Sequence, residues 1–149
     1  MGFYNLVKIY RKYRDRYREY RINKILNNDI NVAWKKIKRV FQNSTTIIRG
    51  PSGYFGDMYP GFEMLLRFIR KYDKQTETLL IDGISNDNPY VVGYCLVGLS
   101  LLKSNTLNDL PKDIFKRPEP VRWSIGCMCK TTTLGYFAYL YKLASFKSQ

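Results

Sequence analysis

The side chains able to do chemistry are few. The 149-residue chain has no histidine, which excludes Ser-His-Asp and Cys-His nucleophile pairs, histidine-ligated zinc and imidazole acid–base work. Three cysteines remain, and two of them, Cys127 and Cys129, flank Met128. No second pair completes a tetrahedral metal site, and on a helix the two would point about 200° apart. With Cys95 they are expected to be buried fillers holding no metal. An odd number of thiols with no apolar leader before them points to a reducing, cytoplasmic compartment. Glu63 and Glu77 are the carboxylates available for acid–base work, but nothing in their spacing brings them together. Glu119 suits the first turn of a helix, where negative charge is favourable. No catalytic set and no cofactor are expected, so the chain is expected to act by binding, not as an enzyme.

Cations form the second group. There are 25 Lys and Arg against 12 Asp and Glu, a net charge of +13, with an isoelectric point near 9.7. Such a surface steers an acidic partner onto itself, whether protein or nucleic acid. Residues 3–26 hold eight of the cations against Asp15 and Glu19 alone. Arg11, Arg14, Arg18 and Arg21, then Lys35, Lys38 and Arg39, and further on Arg122, are the candidate contacts, because an arginine fork matches carboxylate or phosphate. Tyrosines interleave with the first of these cations. They suit base stacking if exposed, and core packing if buried.

A third candidate is the Gly- and Pro-rich stretch at 43–60, whose Tyr54, Phe55 and Tyr59 sit among three glycines and two prolines. Aromatic side chains on long loops are frequent partner contacts, or fold back over a core. The stretch has neither a dinucleotide fingerprint nor a P-loop lysine.

The elements that must position these groups read as helical. Phe3, Leu6, Tyr10, Tyr13, Tyr17 and Tyr20 recur at steps of three and four, one stripe of a helix over residues 3–26. Packing favours this stripe inward, with the cations on a solvated face. Asn27-Asn28 ends it, and Asp29 is a natural cap for a second helix whose Ile30, Ala33, Trp34, Ile37, Val40 and Phe41 share a face. Pro60 suits the first turn of a third. Five more helical pieces are predicted near 76–84, 89–103, 107–115, 119–130 and 133–146, with Trp34 and Trp123 in the core. Strict apolar/polar alternation is scarce. The expected fold is all-α, with seven to eight helices in a single domain over 1–149: basic helices at 1–42, one long loop at 43–60 with a short extended piece at 45–48, and a helical part at 61–149. The longest uncharged stretch, Asn88 to Leu102, contains a proline and two glycines. It falls short of the about 20 residues a membrane span needs. A tyrosine-heavy stripe is also a poor lipid anchor, so no membrane partner is expected.

The segment Leu79-Leu80-Ile81-Asp82-Gly83-Ile84-Ser85-Asn86-Asp87-Asn88-Pro89-Tyr90-Val91 resembles the turn between two helices of a HEAT-like repeat. An echo follows in Leu107, Leu110-Pro111, Ile114 and Arg117-Pro118-Glu119-Pro120-Val121-Arg122. The resemblance covers residues 76–146. The spacing is shorter than the usual period, and Val92 stands where these repeats favour arginine. It implies a right-handed stack of helix pairs, or failing that an irregular bundle, with Arg122 on the inner ladder or at the surface. Small helical-repeat binders then suggest a bacterial immunity-type protein that neutralises a toxin or effector by binding an acidic surface. The alternative is a nucleic-acid-binding protein using the basic amino-terminal helices.

Overall fold

The computed structural model describes residues 2–52 and 60–147. It contains six helices, α1 (Phe3–Leu26), α2 (Ile30–Gln42), α3 (Pro60–Tyr72), α4 (Gln75–Gly83), α5 (Pro89–Leu101) and α6 (Leu134–Lys147), and three strands, β1 (Ile47–Ser52), β2 (Pro120–Gly126) and β3 (Met128–Thr133). The chain is built around α5. The Asn88 side chain accepts hydrogen bonds from the Tyr90 and Val91 amides, and Pro89 opens the helix where its missing N–H costs nothing. Every residue from Val91 to Leu99 is buried. A helix apolar all round must be enclosed, and α2, α3, α4, α6 and β1 enclose this one.

Aromatic stacking ties these layers together. Trp34 of α2 lies parallel to Phe68 of α3 at 5.7 Å, and Phe41 stacks on Tyr94 of α5 at 4.4 Å. Gly93 lets α5 lie flat on β1, because a Cβ there would collide with the Ile47 side chain. Arg49 of β1 sits among Tyr141, Trp123 and Phe137, at 4.7, 5.2 and 6.0 Å from their ring centres. Its Nε donates to the Tyr141 hydroxyl at 2.7 Å, and burial pushes that phenol up to about 12. Both tryptophans are core residues, as the sequence predicts.

The fold is mixed α/β, not all-α. The segment at 119–130, predicted helical, forms β2 and most of a hairpin with β3, paired antiparallel from Pro120–Thr133 to Ile125–Met128. Val121 and Trp123 point inward while Arg122 between them is exposed, the two-residue alternation of a strand. Gly126 supplies the left-handed φ of 57° at the tight turn. β1 pairs parallel to β2 (Ile47 with Trp123, Ile48 with Ser124), giving the sheet order β1-β2-β3. The predicted loop at 43–60 is thus interrupted by a strand. The helix predicted at 107–115 is two 3-10 turns, Asn105–Asp109 and Lys112–Lys116. Pro111, which cannot donate a helical hydrogen bond, stands between them. Among the described residues six helices stand where the sequence predicts seven to eight. The second half of the HEAT-like resemblance falls on turns and a strand instead of a helix pair.

α1 also departs from expectation. Its only buried residues are Ile22 and Leu26. Around them Arg67 of α3 bonds to Glu19 and Asn23, while Lys71 and Tyr72 donate to the Leu26 carbonyl. Upstream, Tyr10, Tyr13, Tyr17 and Tyr20 are 62–68% exposed, and Phe3 and Leu6 are exposed as well. At about 100° per residue, the stripe is centred roughly 170° from Ile22 and Leu26. The two anchoring residues decide which face looks inward, and the stripe looks out.

Candidate functional site

Two surfaces follow from this arrangement, and Arg21 belongs to both. The first is the outward stripe of α1. Its steps of three and four are those of the a and d positions of a heptad, with Phe3, Tyr10 and Tyr17 at a and Leu6, Tyr13 and Tyr20 at d. From Phe3 to Tyr20 it runs about 26 Å. The flanking e and g positions carry Arg14, Arg16 and Arg21 and no carboxylate. Arg14 pairs with neighbouring Asp15 at 3.1 Å on the surface, and the Arg21 guanidinium lies 6.0 Å from the Tyr17 ring. Glu19 lies on the far side of the helix, where its bond to Arg67 holds its carboxyl below the usual range.

The second surface is a groove of about 780 Å³ between the carboxy-terminal halves of α1 and α2 and the β2–β3 hairpin. Its cations are Arg21, Lys36, Arg39 and Arg122, and no carboxylate lines it among the described residues. Ile25, Val40 and Ile48 form its apolar wall, and Asn43 to Thr46 a polar one. The floor is pinned by Tyr94, whose hydroxyl donates to the Thr46 carbonyl at 3.0 Å and accepts from the Ile48 amide at 3.2 Å. Burial raises this phenol above its ordinary range. On the hairpin side, Arg122 Nε donates to Cys129 Sγ at 2.9 Å. That contact raises the guanidinium pKa further, so Arg122 is a permanent charge.

Of the residues singled out in the sequence, the groove unites Arg21, Arg39 and Arg122 from three separate elements. Arg11, Arg14 and Arg18 stay on α1 away from it. Lys35 is exposed, and Lys38 lies over the Trp34 ring at 5.7 Å. Tyr54, Phe55 and Tyr59 fall outside the described residues. Lys36 belongs to the groove but was not among the predicted contacts; its position three residues before Arg39, on one helix face, was the available signal. Cys127 and Cys129, expected to be buried, are exposed on the hairpin and line the groove, while Cys95 is buried. The hairpin is the reason: a turn and an edge strand present side chains that a core helix would hide. Among the described residues there is no cluster of cysteine, aspartate or glutamate able to hold a metal, and no helix long and apolar enough to cross a membrane.

Comparison of the chain with protein families, with curated proteins and with solved structures finds no match.

Proposed function

We propose that this protein is a non-enzymatic binding module that captures an acidic protein partner by laying one of the partner's amphipathic helices along α1. One observation carries the reading: six apolar or aromatic side chains at heptad spacing face solvent on a helix anchored by its opposite side. A seam of a and d residues is what a second helix fills, and the e and g charges select which helix. Here those charges are arginines, so a second copy of α1 would be repelled, and a helix carrying Glu or Asp at its own e and g positions would be attracted. Tyrosine and arginine are also the side chains that dominate binding energy at interfaces. Capture and neutralisation of a toxin or effector is one role such a module could serve. The helical-repeat shape that motivated that role is not what the second half of the resemblance folds into.

A peptide of three heptads with Leu at a and d and Glu at e and g tests the reading, titrated against the full chain beside its Lys counterpart and single-stranded RNA and DNA of similar length. The Glu peptide is expected to bind and the Lys peptide not. Charge reversal at Arg14, Arg16 and Arg21 abolishes binding without unfolding the domain. Binding of the oligonucleotides but not the Glu peptide, with a steep fall in affinity as salt rises, would replace this reading with the nucleic-acid one.

A further inference from the structure

The groove shares Arg21 with the edge of the α1 seam but is otherwise lined by other elements, and its composition asks for a different ligand. Arg21, Lys36, Arg39 and Arg122 come from α1, α2 and β2 and surround one cavity, and none of the four makes an ion pair among the described residues. Four like charges around one concavity repel each other, and low-dielectric walls focus their field. Nothing in the packing demands it: Arg21, Arg39 and Arg122 are exposed and Lys36 is half-buried. Three of the four are arginines, whose rigid forks bond two oxygens of one anion. One feature opposes an anion. α2 ends at the groove, and a helix carboxy-terminus carries about half a negative charge. Its last turn is capped, with the Asn43 amide bonding to the Arg39 carbonyl and the Ser44 hydroxyl to the Val40 carbonyl. Half a charge on a capped helix end does not outweigh four full ones.

We propose that this groove is a binding site for a small ligand carrying two or more phosphate groups, gripped by Arg21, Lys36, Arg39 and Arg122. Four cations around one groove carry more charge than a single carboxylate or phosphate neutralises, whereas a chain of phosphates matches it. The volume lies within the range of small-molecule sites. The apolar wall of Ile25, Val40 and Ile48 leaves room for an organic group attached to the phosphates. Among the described residues the groove offers no open aromatic face for stacking, since Tyr94 in its floor is itself buried against Phe41. The two exposed thiols on its rim provide a built-in reporter.

The test uses the full chain with tripolyphosphate, ATP and GTP as probes, followed by calorimetry at low salt. In parallel, the rate at which a neutral maleimide alkylates Cys127 and Cys129 is measured. The expected result is saturable binding that slows alkylation of both thiols. The paired change R39E/R122E should weaken binding at least about tenfold, or about 1.4 kcal/mol, and remove the protection. A control with the same net charge, K74E/K112E, reverses two exposed lysines outside the groove and should leave both within about twofold. Tighter binding of the nucleotides than of tripolyphosphate assigns the apolar wall to the organic group. Equal binding assigns the affinity to the phosphates alone, and either outcome supports the site. No binding by wild-type protein at low salt, or equal losses in the two double variants, overturns it, because the attraction would then be the net charge of the whole chain. The seam on α1 is untouched by R39E/R122E, so the outcome is independent of the helix-capture reading.

Discussion

Replacing Tyr10, Tyr13 and Tyr17 together by glutamine separates an outward stripe from a packed one. Were these side chains in the core, each truncation would cost about 3–5 kcal/mol, and the triple change would unfold the domain. In the structure they are 64–68% exposed. About a third of each side chain is covered, and full burial of a large apolar side chain is worth roughly 1.5–3 kcal/mol, so each loses at most about 1 kcal/mol. Glutamine returns a few tenths of a kcal/mol per site through its better helix propensity. The triple variant should therefore fall within about 2 kcal/mol of wild type. By contrast, the single change Ile22→Ala, at a residue 1% exposed, should cost about 2–5 kcal/mol. Urea denaturation followed by circular dichroism gives both numbers, provided the slopes agree. A triple variant less stable than Ile22→Ala refutes the placement of the stripe and with it the seam. The same triple variant should lose the acidic peptide altogether.

Three further outcomes follow from other contacts. Arg49→Leu removes the hydrogen bond to a buried phenol and the cation from an aromatic cage, at a cost of about 2–4 kcal/mol; adding Tyr141→Phe should restore part of it, seen as non-additivity of the two losses in denaturation. The Glu19 carboxyl is held below its ordinary value of 4.5 by Arg67, so its stabilising contact is in place above that value and is lost as pH falls through the lower folded one. Arg67→Gln should flatten this acid limb relative to wild type in a pH titration of thermal stability, and an unchanged limb would rule the contact out as its source. A thiol reagent should modify Cys127 and Cys129 in the native protein, and Cys95, whose burial pushes its thiol far up, only after unfolding; rapid modification of all three in native buffer would contradict the burial of α5.

Much of the helical scaffold is legible in the residues. Asp29 caps α2 through the Asn31 amide as its type predicts, Asn88-Pro89 starts α5, and Ala33, Trp34, Ile37 and Phe41 face inward together. The hairpin is hard to see in the residues, although Val121, Trp123 and Ile125 alternate ahead of Gly126 and a run of three threonines follows. Over so few residues a two-residue period is hard to tell from a helix flanked by prolines, and the HEAT-like echo in the same residues also suggests a helix. The α1 stripe is visible in the sequence as a stripe, but it faces outward where packing predicts inward. Periodicity shows that one face differs from the rest, and it does not say what covers that face. The groove was legible only in pieces, since Arg39 and Arg122 carry no local sign of facing the same cavity.

The sequence by itself determined the charge and the chemical groups this protein carries: a net charge of +13, no imidazole, three thiols, and helices whose starts are written in their caps. These depend on composition and on neighbours a few residues apart. Tertiary structure alone decided that Ile47 lies beside Trp123, that α1 stands on Ile22 and Leu26 with its tyrosines outward, and that four cations from three elements share one groove. Each of those depends on which distant surfaces bury each other, and burial is settled by the whole core rather than by any one segment.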